Sequence, residues 1–308
     1  MARKRRGRPV HGWLVLDKPL GLSSSAAVGR VKRLLDAQKA GHGGTLDPLA
    51  TGVLPIALGE ATKTMNYVMD GHKSYRFTVR WGQATRTDDG EGVVTETNPH
   101  RPSKNDIDAI LDKFTGEIQQ VPPAFSAIKV DGKRAYALAR ANEDVVLAAR
   151  TVEVSALTLV DVVDVDSAEF EMTCGKGTYV RSLGRDMARC LGTVGHITAL
   201  RRTAVGPFFE TAAISLDYLE SLGHIAPDSD PILPIETVLD DIPALALSEE
   251  ETRKLKHGQA VSVLPVISRT PDIDICQGDI VSAMSGGRLV ALAEIKGGEL
   301  RPVRVMNL

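Results

Sequence analysis

Gly41-His-Gly-Gly-Thr-Leu-Asp-Pro-Leu-Ala-Thr-Gly-Val-Leu-Pro55 is the stretch from which this chain is best read. It places one carboxylate, Asp47, between a basic segment and an apolar run. Gly43 and Gly44 open backbone angles closed to other residues, while Pro48 fixes its own φ and pushes Asp47 away from the helical region. The carboxylate is therefore displayed on a loop. Gly, Asp and Pro are also ordinary turn residues, so the meaning of the loop depends on its companions.

The surrounding chain has 308 residues and 43% hydrophobic content, enough for a sizeable core and for two or three domains. Its net charge of -2 conceals a basic end. Residues 1–40 hold ten Lys or Arg against Asp17 and Asp36. Arg3, Lys4, Arg5, Arg6 and Arg8 read as a disordered arm over 1–11, serving phosphate contact or solubility. The basic start meets Trp13-Leu-Val-Leu16 and is stopped by Asp17-Lys18-Pro19, which does not suit a secretory signal. No apolar run reaches membrane-span length. Cys174, Cys190 and Cys276 lack metal-ligand spacing, so a reducing cytoplasm and no structural metal are expected.

Between Thr211 and Glu250 stand nine acidic residues and no Lys or Arg, with Pro227, Pro231, Pro234 and Pro243. That composition marks a junction, with a domain boundary near Asp240. Before it, strand and helix signals are mixed, which predicts α+β rather than a doubly wound sheet. Lys73 to Trp81, Val152 to Val163 and Ala168 to Cys174 read as strands, with Tyr75, Phe77 and Val79 on one face of the first. Ile107 to Phe114 behind Ser103, and Val180 to Leu191, read as helices. After the junction, Ser248-Glu-Glu-Glu251 fits a capping box opening a helix through Leu255. Runs at Ala260 to Val266, Ile280 to Ala283, Leu289 to Ile295 and Val303 to Met306 suggest a small β-barrel over 241–308.

Motifs for metal hydrolysis, nucleotide-phosphate binding and serine nucleophiles are absent from the sequence. What remains is an Asp that could act as a covalent nucleophile if an opposite charge keeps it ionised. Arg181, where a glycine-hinged strand end feeds a helix, is the attractive partner. Tyr75 could stack on an unstacked base, and with only 4% aromatic residues such platforms must be few.

Gly12-Trp-Leu-Val-Leu-Asp-Lys-Pro19, Gly43-Gly-Thr-Leu-Asp-Pro-Leu-Ala-Thr-Gly52 and Lys73-Ser-Tyr75 are followed by Pro122-Pro-Ala-Phe-Ser-Ala127, Gly175-Lys-Gly-Thr-Tyr-Val-Arg-Ser-Leu183 and Leu200-Arg-Arg202. Together this ordered set resembles the bacterial tRNA pseudouridine(55) synthases over residues 12 to about 210. The tail resembles a PUA-type RNA-binding domain. The resemblance implies a mixed, largely antiparallel sheet with flanking helices over 12–240 and a PUA-like barrel over 241–308. It implies an isomerase that turns uridine into pseudouridine in the T-loop of tRNA, with no cofactor, no metal, no membrane and no obligate protein partner.

By the same resemblance Asp47 matches the nucleophile, Arg181 its pairing arginine and Tyr75 the tyrosine stacked on the flipped uracil. Tyr179 and Leu200 match pocket-lining residues, His42 the histidine that fills the gap in the RNA loop, and Asp89 an RNA-contacting acidic residue. Arg86 stands where relatives usually carry an acidic residue. Ser23-Ser-Ser25 stands where many relatives carry Thr-Ser followed by His or a similar residue, and is expected to be peripheral to catalysis. Thr45, Lys18, Lys63, Arg201 and Arg202 complete the expected substrate-binding set, with Arg30, Lys32, Arg33, Lys39, Lys63, Arg201 and Arg202 as candidate backbone phosphate contacts. The T-loop, the T-stem and, through the C-terminal domain, the acceptor end are the expected parts of the tRNA partner. Whether Asp47 adds to the ring, attacks C1′ or removes a ribose proton is not read from residues. A non-catalytic RNA-folding protein and a synthase for another RNA are the rival readings.

Overall fold

Gly12–Lys18 (β1) is buried along almost its whole length because each face meets a different core. Leu14 and Leu16 join one cluster with Phe77 and Val79, whereas Trp13 and Val15 join another with Val205 and Phe208. The same holds for Ala50–Leu58 (β2), which sends Leu54, Ile56 and Leu58 to the first cluster and Val53 and Ala57 to the second. A strand covered on both faces loses polar alternation, and the unbroken apolar run before Leu58 follows from that. The computed structural model describes residues 7–126, 128–130, 132–141, 147–223, 230–270 and 273–308. Arg3 to Arg6 of the basic arm, Ala127 and Pro227 lie outside the described residues.

The remaining strands of the main sheet are Lys73–Trp81 (β3), Gly116–Gln120 (β4), Arg150–Asp164 (β5), Ser167–Cys174 (β6) and Gly195–Val205 (β7). Their spatial order is β1-β2-β7-β3-β6-β5-β4, with two short strands, Ala40–His42 and Phe208–Phe209, alongside. Only β7 and β2 run parallel, so the sheet is mixed and largely antiparallel as expected. The helix Ser24–Leu34 (α1) presents Ala27 and Val31, and the helix Val180–Cys190 (α2) presents Leu183 and Met187, to the first cluster. Both therefore cover one face of the sheet.

Beyond the junction, Ala244–Ala246, Ile280–Ser285, Arg288–Lys296, Glu299–Val305 and Val261–Ser262 form a curled five-stranded sheet, half of a barrel. Leu289, Leu292 and Met306 pack into the second cluster against Trp13 and Phe208, so this sheet is fastened to the body. The capping box of Ser248 and Glu251 opens the helix Glu249–Lys256.

Three expectations are corrected. Residues 7–11 are packed, not an arm: Arg8 bridges Ala37 and Val10 is buried, because the apolar residue at 10 has a core to enter. The stretch 107–114 is a short helix, Lys104–Asp108, followed by a 3-10 turn, Leu111–Phe114. Val263–Ile267 is helical where a strand was expected. Pro265 falls in the first turn of that helix, where its missing N–H has no partner to lose.

Candidate active site

The loop that carries Asp47 is tied down at nearly every residue around it. Arg202 donates from Nη2 to the Gly44 carbonyl at 3.1 Å, from Nη1 to Thr45 at 3.4 Å and from Nε to Val53 at 2.8 Å. Ser24 Oγ both accepts from the Leu46 amide and donates to the Leu46 carbonyl, each at 2.8 Å. Lys18 Nζ reaches the Pro48 carbonyl at 3.4 Å, and the Gly21 amide donates to the same oxygen at 2.9 Å. Asp47 itself stays open to the cavity, its side chain 39% exposed.

Register explains why Arg202 sits beneath the loop. In β7 it stands beside Gly52 of β2 on one side and Tyr75 of β3 on the other. Gly52 has φ +97°, and a Cβ there would lie 2.2 Å from the Arg202 carbonyl, so only glycine allows this approach. Period two puts Leu200 and Arg202 on the same face and Arg201 on the other. Burial opposes the Arg202 charge, while Tyr75 hydrogen-bonds and supports it.

Arg181 comes from the first turn of α2 and is buried, with 5% of its side chain exposed. Its Nη2 lies 2.8 Å from Asp47 Oδ2 and donates to the Phe125 carbonyl at 2.9 Å. Nη1 donates to the Thr87 carbonyl at 2.9 Å, and Nε faces Asp89 Oδ2 at 3.6 Å. A cation near a helix N-terminus opposes the helix dipole, and the two carboxylates offset it. The turn before α2 is fixed by Gln120, whose side chain accepts from the Tyr179 amide at 2.8 Å and donates to its carbonyl at 3.1 Å. Arg150 lies over the Tyr179 ring at 5.1 Å.

Thr45, Asp47, Tyr75, Tyr179, Arg181, Leu200 and Arg202 thus line one cavity of about 380 Å³. Burial raises the Tyr75 phenol above its ordinary value, so it is neutral near pH 7. Lys73 and Ser126 also line the cavity and were not singled out by sequence reasoning. Lys73 Nζ donates to the Met69 and Gly71 carbonyls, and burial lowers its pKa. Alternation in β3 alone marks position 73 as facing the same way as Tyr75.

Other expected residues stand elsewhere. His42, on the strand Ala40–His42, is outside the cavity wall; burial and then the charge of Arg202 lower its pKa. Asp89 is not an RNA-facing group, since it lies 4% exposed behind Arg181 and accepts from Thr87 Oγ1 and the Glu91 amide. Lys18 is fully buried and holds the Pro19, Leu22 and Pro48 carbonyls, which takes it from substrate contact to loop support. Arg202, 1% exposed, changes role in the same way. Lys63 bonds Glu60 and the Val305 carbonyl, fastening the second sheet. Arg201 is half-buried between Asp17 and Glu210. Arg30, Lys32, Arg33 and Lys39 are exposed. Ser24, expected to be peripheral, holds the residue next to Asp47. Among the described residues no three His, Cys, Asp or Glu side chains are grouped to hold a metal, and no helix is long and apolar enough to cross a membrane.

A displayed carboxylate paired with a buried guanidinium, beside an aromatic ring and a leucine, makes a site suited to holding a flat ring against an anionic side chain. Residues 32–180 match the TruB family pseudouridylate synthase N terminal domain, and residues 181–240 the tRNA pseudouridylate synthase B C-terminal domain. The chain belongs to the TruB family of pseudouridylate synthases. It is 55% identical over 308 residues to the tRNA pseudouridine synthase B of Rhodospirillum rubrum, covering 100% of both chains. It is 56% identical to that of Bradyrhizobium diazoefficiens, covering 99% of this chain and 88% of the relative. Among solved structures it resembles a chain of a Cbf5-Nop10-Gar1 complex, with TM-score 0.71 and 26% identity, covering 100% of this chain and 90% of that one.

Proposed function

We propose that this chain isomerises uridine to pseudouridine in the T-loop of tRNA, at position 55, with Asp47 as the nucleophile. The observation that carries the reading is the 2.8 Å pair of Asp47 and Arg181 in a cavity walled by Tyr75 and Leu200. The reaction breaks the bond from N1 to C1′, turns the base and joins C5 to C1′. The proton lost from C5 is balanced by the one gained at N1, so no redox partner or outside atom is required.

A stacked uracil is out of reach of Asp47, so the base must leave the loop at a cost of a few kcal/mol. Tyr75 stacks on it and Leu200 packs its other side, offsetting part of that cost. Arg181 holds the Asp47 carboxylate at the cavity through their 2.8 Å ion pair. Tyr75 beside the ring takes up the proton leaving C5, a role that belongs to its phenolate form, which burial makes the minor one. His42 fills the gap in the RNA loop, the exposed bases of α1 and the segment after it contact phosphates, and the curled C-terminal sheet acts as a PUA-like grip toward the acceptor end. The substrate places the enzyme in the cytoplasm.

Position-specific mapping after incubation with total RNA tests this reading. Pseudouridine at the T-loop position of tRNA is expected. Modification confined to another RNA would move the substrate, and binding with no product would favour an RNA-folding protein.

A further inference from the structure

Of the polar side chains lining the cavity, Arg181, Arg202, Lys73 and Thr178 are held by protein partners. Ser126 is different. It is 3% exposed, it lines the same cavity, and its Oγ has no hydrogen-bond partner. Buried hydroxyls in native proteins are almost always paired, so an unpaired one in the wall of a binding cavity points to a partner supplied by the ligand.

The hydroxyl is also held in position relative to the reacting carboxylate. Arg181 Nη2, which pairs with Asp47, donates to the carbonyl of Phe125, the residue before Ser126. The Tyr136 amide donates to the Ser126 carbonyl at 3.0 Å. Upstream, the Val121 carbonyl accepts from Ser182 Oγ at 2.8 Å and from Arg185 Nη2 at 2.9 Å. One guanidinium therefore sets the spacing between Asp47 and this segment.

We propose that Ser126 is a substrate-contacting residue whose hydroxyl bonds a carbonyl of the flipped uracil and holds the ring while it is detached from the ribose. This rests on the reading of the chain as a uridine isomerase. A neutral hydroxyl suits a carbonyl, whereas a phosphate would be better served by the cations nearby. Uracil has a near two-fold axis through N3 and C6. A half-turn about it exchanges N1 with C5, which the isomerisation requires, and exchanges the two carbonyls as well. A fixed donor that meets one carbonyl before the turn meets the other after it.

The test is single-turnover pseudouridine formation on a T-stem-loop RNA carrying uridine, 2-thiouridine or 4-thiouridine at the target, with native chain, Ser126→Ala and Ser126→Thr. Sulfur accepts hydrogen bonds poorly. Ser126→Ala is expected to slow turnover ~10- to 100-fold while RNA affinity stays within about threefold. At least one thio RNA should be slowed on the native chain, and that penalty should vanish in Ser126→Ala. Ser126→Thr, which keeps the hydroxyl, should recover part of the rate. Native-like turnover by Ser126→Ala, or a thio penalty of the same size in both chains, overturns the proposal. Should Ser126→Ala fail to fold, native turnover unslowed by either thio RNA overturns it as well. No product from the native chain would instead overturn the isomerase reading, and the proposal with it.

Discussion

Arg181 serves Asp47, Asp89 and two backbone carbonyls with one guanidinium, so no shorter or apolar side chain replaces it. Arg181→Met leaves Asp89 buried without its cation, and breaking a buried pair costs about 3–5 kcal/mol. A lower urea midpoint together with turnover reduced by about 100-fold or more is expected. Loss of stability with native turnover would separate the arginine from the chemistry. Lys18 gives a pH-dependent prediction. Burial lowers its ammonium to about 8, with Asp47 working in the opposite direction. From there up to the ordinary lysine value the unfolded chain holds a proton that the folded chain has released, so this group adds stability as pH rises. The urea midpoint of the native chain relative to Lys18→Met should therefore increase between about pH 7.5 and about pH 9.5. A flat difference would contradict the lowered value. At this scale the sequence showed Asp47 and Arg181 through their motifs but misplaced Lys18, Asp89 and Arg202, because residue type does not reveal which way a charge points. Alternation within Leu200-Arg-Arg202 did carry the missing information, since it sets Arg202 beside Leu200 and away from Arg201.

Gly184 shows how an element is held against the sheet. A Cβ there would meet Ile197 Cδ1 at 2.7 Å and Val79 Cγ2 at 3.4 Å, so α2 sits close because this helical position is glycine. Gly184→Ala should lower stability by about 1–3 kcal/mol through overpacking, against the gain that helix propensity alone would give. Calorimetry showing a raised melting temperature would mean that α2 has room to shift. Strong alternation made β3 and β6 legible, and the periodic stripe did the same for α2. The stretch 107–114 misled because its apolar spacing fits one helix, while the helix ends at Asp108 and a separate 3-10 turn, Leu111–Phe114, follows. Val263–Ile267 misled because β-branched residues suggest a strand, although Pro265 would have cost a strand its ladder hydrogen bond.

At the scale of the whole molecule, β1 and β2 carry two cores on opposite faces, and the second of them joins the body to the curled sheet. The acidic, proline-rich stretch marks the junction in the sequence, but the shared core is not legible there. Trp13 and Leu292 are far apart in the chain, and only the folded sheet brings them into one cluster. Leu292→Ala removes a side chain 2% exposed from that cluster and should cost about 2–5 kcal/mol. Tryptophan fluorescence, which reports Trp13 and Trp81 in the body, should show the loss as an earlier urea transition. An unchanged transition would mean that the second sheet unfolds separately from the body.

The central claim is that Asp47 performs the chemistry while the surrounding protein holds the RNA. Asp47→Asn keeps the size of the side chain and removes its charge. Pseudouridine formation and RNA affinity, measured together on a T-stem-loop RNA with the native chain and Asp47→Asn, test this most directly. The expected result is no detectable product from Asp47→Asn with affinity within about tenfold of native. Product formed at the native rate by Asp47→Asn would contradict the account.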